Sequence, residues 1–338
     1  MSIEIIVGLP HLANGPILER AKLMQQPMLV SANTFSRWRT DAGWPEWTGW
    51  RTGQLKNAVG LKSLDLDSAG YVLMSRYKGF PWSIADYMAL ASSFPFRRIA
   101  AADYCCEHQI ARDREEVLDR ISRTIATNRE CRSRAVDLGI ADRLMPVLQG
   151  RCATDYERCA DALAWSMLPG TIVGIGSMCR RDIHGSEGLV AIVEHLDRTL
   201  PEGVGLHLFG VKGTALPWLQ PFAHRVASID SQAWGTAARR DAHRRGVPKT
   251  DRLSADHMER WTSTQLDRLA EAPRHLDPAA AVPVQHNVPS DPWEAAIVRA
   301  REQIRDLIES GDLSHDEVTA AWVEAWAADL YHGDRQAA

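Results

Sequence analysis

Val226-Ala-Ser-Ile-Asp-Ser-Gln-Ala-Trp234 is a short β-branched run that ends on a carboxylate, Asp230. Two earlier segments share the design. Leu64-Asp-Leu-Asp-Ser-Ala-Gly-Tyr71 ends its apolar run on Asp67, and Ile99-Ala-Ala-Ala-Asp-Tyr104 ends on Asp103. A parallel barrel gathers the ends of all its strands on one rim, so carboxylates at the same ends of separate strands converge there. Three of them make an acidic site suited to a cationic transition state.

Outward from these segments, apolar runs bounded by turn residues predict strands at 3–7, 28–31, 64–66, 98–102, 144–148, 171–175, 205–209 and 226–229, with a final candidate at 282–285. Helical periodicity fills 114–138, 155–167, 188–200 and 293–309. Residues 314–330 read as a closing helix, with Ser314 and Glu317 at capping-box spacing and Trp322 and Trp326 on one face as core packing. Strands alternating with helices predict an α/β fold, a (β/α)₈ TIM barrel with an extra N-terminal strand or hairpin. An open doubly wound sheet competes, but Gly174-Ile-Gly176 is followed by Ser177-Met-Cys179 and does not complete the dinucleotide fingerprint. Residues 1–338 read as one domain. Residues 235–281, rich in Arg, Asp, His and Ala with Pro248 and Pro273, read as an insertion of short helices over the barrel mouth.

The chain has 338 residues, 45% of them hydrophobic, and a formal net charge of −4. That suffices for a large core and excludes a globally basic nucleic-acid binder, so any such surface is local. Candidates for it are Arg37 with Arg39, Arg180-Arg181 and Arg239-Arg240. Arg97-Arg98 and Arg244-Arg245 are further pairs, and each pair also fits a solvated helix end or a surface ion pair. None of the six cysteines forms a Cys-x-x-Cys pair, and the adjacent Cys105-Cys106 is poorly placed for a disulfide. A reduced, cytoplasmic protein is expected, with no signal peptide and no membrane span.

Asp67-Ser-Ala-Gly-Tyr-Val-Leu-Met-Ser75 is the most specific string. Gly70 lets the backbone turn sharply or approach a ligand closely, and Tyr71 offers a flat ring to a planar substrate. The same residues also describe a capped strand-to-helix turn, with Asp67 or Ser68 as N-cap.

This string resembles the Asp-Ser-Gly-Gly-Tyr/Phe-Gln motif of the tRNA-guanine transglycosylase family, from which Ala69 and Val72 depart. The resemblance continues in order. Asp103-Tyr-Cys-Cys106 is similar to the family's Asp-Glu-Cys segment, Val147-Leu-Gln-Gly150 to its Gln-Gln-Gly strand end, and Val173-Gly-Ile-Gly-Ser177 to its Val-Gly-Gly-Leu-Ala loop. His207-Leu-Phe-Gly-Val211 is similar to its Leu-Met-Gly-Val-Gly strand, Ile229-Asp230 to its Phe-Asp nucleophile, and Gln285-His-Asn-Val288 to its Glu-His-Asn-Ile motif. The tRNA enzymes hold zinc with a Cys-x-Cys-x-x-Cys cluster and the histidine of that last motif. His286 matches the histidine, but no cysteine follows position 179, and Asp256 with His257 would be a poor substitute. No metal and no cofactor are therefore expected. Gly174-Ile-Gly-Ser-Met-Cys-Arg-Arg181 and the compact length resemble the DNA-directed branch, the enzymes of phages and bacteria that insert 7-deazaguanine derivatives into DNA.

The resemblance implies base exchange in DNA, guanine leaving and a preQ0-like 7-deazaguanine base entering through a covalent bond to Asp230. Asp67 would shuttle protons, and Ser68 and Gly70 of its motif would bind the substrate. Asp103 would accept from the base edge and Gln149 would donate to O6. Tyr71 and Phe209 would sandwich the ring, with the backbone of Gly174, Ile175, Gly176 and Gly210 around it. Trp38, Trp44, Trp47 and Trp50, interleaved with Arg37, Arg39 and Arg51, offer either a stacking surface for a flipped-out strand or a packed tryptophan loop. DNA and the base are the expected partners, with tRNA the alternative and helper proteins such as an ATPase left open. A catalytically silent partner subunit and an unrelated barrel glycosidase are the other readings. The first has no need of both Asp67 and Asp230, and the second has no need of Tyr71 and Gln149.

Overall fold

The computed structural model describes residues 2–39, 45–179, 181–274, 291–309 and 318–336. In chain order the first half runs β1 (Glu4–Leu9), α1 (Pro16–Met24), β2 (Pro27–Ser31), β3 (Ser36–Arg39), β4 (Glu46–Trp50), β5 (Ser63–Asp67), α2 (Gly70–Tyr77), α3 (Ile84–Ser92), β6 (Ile99–Ala100) and α4 (Arg114–Asp137). The second runs β7 (Leu144–Met145), β8 (Val147–Leu148), α5 (Ala153–Ala162), β9 (Ile172–Ile175), α6 (Leu189–Thr199), β10 (Gly205–Leu208), α7 (Leu216–Leu219), β11 (Val226–Ser231), α8 (Ala233–Arg244), α9 (Asp251–Ala270), α10 (Pro292–Glu309) and α11 (Ala320–Gln336).

Apart from the β3–β4 hairpin, all these strands share one sheet in the order β7-β6-β5-β2-β1-β11-β10-β9-β8, and every pairing in it is parallel. The two ends of that order, β7 and β8, are consecutive in the chain and separated only by Pro146. They are two halves of one stave, so the sheet closes on itself as an eight-staved barrel. Residues 144–148, expected as one strand, are divided because proline brings no N–H to the ladder. The lower half pairs with β6 and the upper half with β9. The Pro146 carbonyl still accepts from the Gly174 N–H at 2.7 Å. Asn128, on α4, fills the gap that remains. Its side-chain amide accepts from the Val147 N–H at 2.9 Å and donates to the Val147 carbonyl at 3.2 Å, in the place of a neighbouring strand.

The extra strand or hairpin expected near the N-terminus is present as the β3–β4 hairpin. Residues 3–7 belong to a barrel stave, β1, and the hairpin follows β2. Within it, exposed Arg37 and Arg39 alternate with half-buried Trp38, the period-2 pattern of a two-faced ribbon. Trp47 and Trp50 pack with Trp82 at centroid distances of 5.9 and 4.7 Å, and Trp38 stacks on Tyr77 at 4.4 Å. Trp44 and the strand candidate at 282–285 lie outside the described residues, as do Ser314 and Glu317.

The 235–281 segment holds α8 and α9, longer than the short helices expected, and α9 packs along α1 and α8. Arg20 of α1 pairs with Asp256 at 3.1 Å and with Glu259. The helices α10 and α11 pack on each other around Ala296, Ala300 and Ala327, with Trp326 donating to Gln303 at 2.7 Å. Trp322 and Trp326 are thus packed in this helix pair, as their spacing predicted. Among the described residues, no helix is long and apolar enough to cross a membrane.

Candidate active site

Side chains alternate faces along a strand, so Asp65 and Asp67 of β5 share one face, as do Ser228 and Asp230 of β11, with His207 of β10 in register with Ser228. That pairing builds two polar levels inside the barrel. At the lower level, Asp65 is buried and accepts two hydrogen bonds from Arg97, at 2.8 and 2.7 Å, and one from Arg98 at 3.0 Å. Glu4 accepts from both arginines. Arg98 also donates to Ser228 at 3.0 Å, which lies 2.9 Å from Nδ1 of His207. Nε2 of His207 faces Oδ1 of Asp230 at 3.4 Å. A polar column therefore climbs from the floor of the barrel to its mouth through an interior that barrels of this kind usually fill with aliphatic side chains.

At the upper level, Asp230 is nine-tenths buried and its Oδ1 accepts from the Gly210 N–H at 3.1 Å. Gly210 sits at φ 67, where a side chain would be strained, and this turn is what aims its N–H at the carboxylate. Asp67 accepts from the Ala69 N–H at 3.0 Å. Burial, then the charges of Asp103 and Asp230, push its carboxyl up to about 7. The motif Asp67-Ser-Ala-Gly-Tyr71 turns directly into α2, but neither Asp67 nor Ser68 caps that helix. Ala69, left-handed at φ 72, is the N-cap residue and no side chain caps it.

Ser68 donates instead across the mouth to Oδ1 of Asp103 at 2.7 Å, and Gln149 Nε2 donates to Oδ2 of the same carboxylate. Burial raises the Asp103 carboxyl above its ordinary value, and these two donors pull the other way. Packing here leaves no spare room. A Cβ on Gly70 would lie 2.7 Å from the Asp103 carbonyl, one on Gly174 2.5 Å from the Phe209 ring, and one on Gly176 2.1 Å from Gln149 Nε2. Ile175 is buried between the last two glycines. Tyr71, in the first turn of α2, and Phe209, just past the end of β10, are both half-buried. Asp67, Ser68, Asp103, Gln149 and Asp230 are thus brought together as one acidic, amide-lined mouth.

The arginine candidates divide. Arg37, Arg39 and Arg239 are exposed, although Arg39 is engaged by Glu46. Arg240 is buried. Arg181 turns inward and donates to the carbonyls of Ser177, Arg151, Glu187 and Gly150 and to the Tyr156 hydroxyl, which clamps the loop after β9. Arg180 lies outside the described residues, as does His286. Asp256 is held by Arg20 and His257 by Asp241, at 3.1 and 3.2 Å, so this pair does not fit a zinc site. Among the described residues, no group of His, Cys, Asp and Glu has the arrangement of a metal site.

Sequence reasoning passed over three residues of the site: His207, Glu107 and Ser177. His207 was visible as a polar residue inside an apolar strand, in Gly205-Leu-His-Leu208. Glu107 and Ser177 are joined by a hydrogen bond across 70 positions and carry no local signal.

No curated protein matches this sequence. The family model described as DeoxyPurine in DNA protein A matches residues 24–307, which takes in every residue of the mouth from Asp67 to Asp230. By that match over most of its length, the chain belongs to the DpdA family, DeoxyPurine in DNA protein A.

Proposed function

We propose that this protein exchanges guanine in DNA for a 7-deazaguanine base, preQ0-like, through a covalent bond between the sugar and Asp230. The observation that carries the reading is the pairing of two unlike carboxylates at one mouth. Asp230 is oriented by the Gly210 N–H, while Asp67 is pushed up to about 7 and exists in both protonation states near neutrality. A proton shuttle needs a group that can take and give a proton in the working range.

The ionised Asp230 attacks C1′ of a deoxyguanosine extruded from the helix, and the C1′–N9 bond breaks with its electron pair going to guanine. Protonated Asp67 supplies the proton that the departing base requires. The 7-deazaguanine then enters, gives its N9 proton to Asp67, and attacks C1′, breaking the sugar–Asp230 bond. Asp103 and Gln149 read the base edge, a carboxylate for the N1–H and exocyclic amino donors and an amide N–H for O6. Tyr71 and Phe209 cover its faces. The exposed Arg37, Arg39 and Arg239 supply phosphate contacts, which makes binding weaken steeply with salt.

The test incubates the protein with duplex DNA, single-stranded DNA or unmodified tRNA carrying labelled guanine, together with the 7-deazaguanine base. Expected are release of label from DNA, incorporation of the deazaguanine, and a denaturation-resistant protein–DNA adduct that Asp230→Asn lacks. Release from tRNA alone would move the substrate to RNA, and release without any adduct would remove the covalent step.

A further inference from the structure

Behind the base-reading pair lies a second buried acid. Ser177, left-handed at φ 54, ends the turn after β9. Its Oγ lies 2.6 Å from Oε1 of Gln149 and 2.9 Å from Oε2 of Glu107, and it accepts from the Cys106 N–H at 2.7 Å. Gln149, Ser177 and Glu107 are all more than nine-tenths buried.

A hydroxyl has one proton and here meets two oxygen acceptors. If Glu107 were ionised, the Ser177 proton could serve Glu107 or Gln149 but not both. One pair of oxygens would then face each other at hydrogen-bond distance with no proton between them, in a place closed to water. Turning the Gln149 amide over removes that conflict and creates another, because Oε1 would then face Oδ2 of Asp103. One arrangement leaves every contact with a donor while Asp103 stays ionised. Glu107 donates to Ser177, Ser177 donates to Gln149 Oε1, and Gln149 Nε2 donates to Asp103.

We infer that Glu107 is carried as the neutral acid and, through Ser177, fixes the polarity of the Gln149 amide, so that Glu107 is the positioning residue that makes the site choose a purine with a carbonyl at C6. This rests on the base-exchange reading above. The second Nε2 hydrogen of Gln149 is the group left to meet the base, and it rewards a carbonyl and penalises an amino group there. Burial also raises the Glu107 carboxyl above its ordinary value, in the same direction.

Two measurements test this. In the infrared spectrum of native protein minus that of Glu107→Gln at neutral pH, a positive carbonyl band of a protonated carboxylic acid should appear, since the contributions of Asp67 and Asp103 are common to both and cancel. Absence of that band overturns the inference whatever the protein's activity. By calorimetry, native protein should prefer guanine to 2,6-diaminopurine, which carries an amino group at C6. Ser177→Ala and Glu107→Ala should each cut that preference about tenfold, the worth of one oriented hydrogen bond. Glu107→Gln, which still offers a donor to Ser177, should restore it. Full preference in both alanine variants overturns the inference and leaves base exchange standing. If native protein bound neither base, the proposed function would fail and base selection by Glu107 with it, while the infrared band would still decide the protonation.

Discussion

Nε2 of His207 and Oδ1 of Asp230 face each other at 3.4 Å inside the barrel, one from β10 and the other from the neighbouring β11. The far side of the imidazole is tied to the barrel floor. Arg98 can only donate, so it fills one lone pair of Ser228, and Ser228 lies 2.9 Å from Nδ1 of His207. Nε2 is left buried beside Asp230 without a hydrogen bond of ordinary geometry. His207→Phe should therefore lower kcat about tenfold with little change in KM for the base, because the loss falls on the polar group packed beside the proposed nucleophile. His207→Gln, with an amide N–H within reach, should recover part of it. Equal adduct-forming rates in native protein and His207→Phe would show that the histidine only fills space.

Asp67 couples the site to pH through both stability and rate. Its carboxyl is raised from 3.8 to about 7 in the fold, so the folded chain holds a proton that the unfolded chain has already released. Native stability therefore falls as pH rises from about 4 to about 7, and Asp67→Asn removes that dependence. The variant should match the native protein at pH 4 and exceed it at pH 8 by about 2–3 kcal/mol in urea unfolding, less than the full shift implies because the residue is only half-buried. It should also lose about 10²- to 10⁴-fold in exchange rate, since an amide cannot shuttle the proton.

Gly176 has no room for a methyl group. A Cβ there would stand 2.1 Å from Nε2 of Gln149, a side chain pinned by both Ser177 and Asp103. Gly176→Ala should force the amide out and leave Asp103 with one donor fewer. Loss of a hydrogen bond to a charged group predicts base binding weaker by about ten- to a hundredfold in calorimetry, with the far-ultraviolet circular dichroism unchanged.

Lys78 ends α2 in the left-handed region at φ 59, and its side chain is exposed. Glycine adopts that conformation without the Cβ clash, so Lys78→Gly should stabilise the fold by about 1 kcal/mol while leaving base affinity as it was. A denaturation midpoint that moves down would show that the lysine's contact with the Ser75 carbonyl outweighs the strain.

The staves were legible because each is an apolar run between turn residues, and the three rim carboxylates because each closes such a run. Legibility failed where an element depends on distant partners. The run at 98–102 pairs as strand only over Ile99–Ala100, since beyond it the chain is held by α4 side chains: Thr127 donates to the Ala102 carbonyl at 2.6 Å, and Thr124 accepts from the Tyr104 N–H at 2.9 Å. The position of the hairpin went unread although Arg37, Trp38 and Arg39 alternate, because charged and aromatic residues do not form an apolar run. The divided stave at 144–148 reads as one strand in the sequence, although Pro146 within it is the residue that breaks the ladder. His207, Glu107 and Ser177 owe their place to barrel closure, which joins positions that no local window spans.

The helix α4 grips the barrel from outside at two places at once, through Thr124 and Thr127 on either side of Asp103 and through Asn128 two residues before Gln149. Both proposed readers of the base edge, Asp103 and Gln149, are thus hung from a single rod, without an intervening loop to absorb its movement. A tilt or slide of that rod would carry Asp103 and Gln149 together and keep their spacing, while altering their distance from Asp230 on the opposite wall. The Asp103–Gln149 half of the mouth and the Asp230 half can therefore be drawn apart or together as units, by whatever leans on the outer surface of one helix.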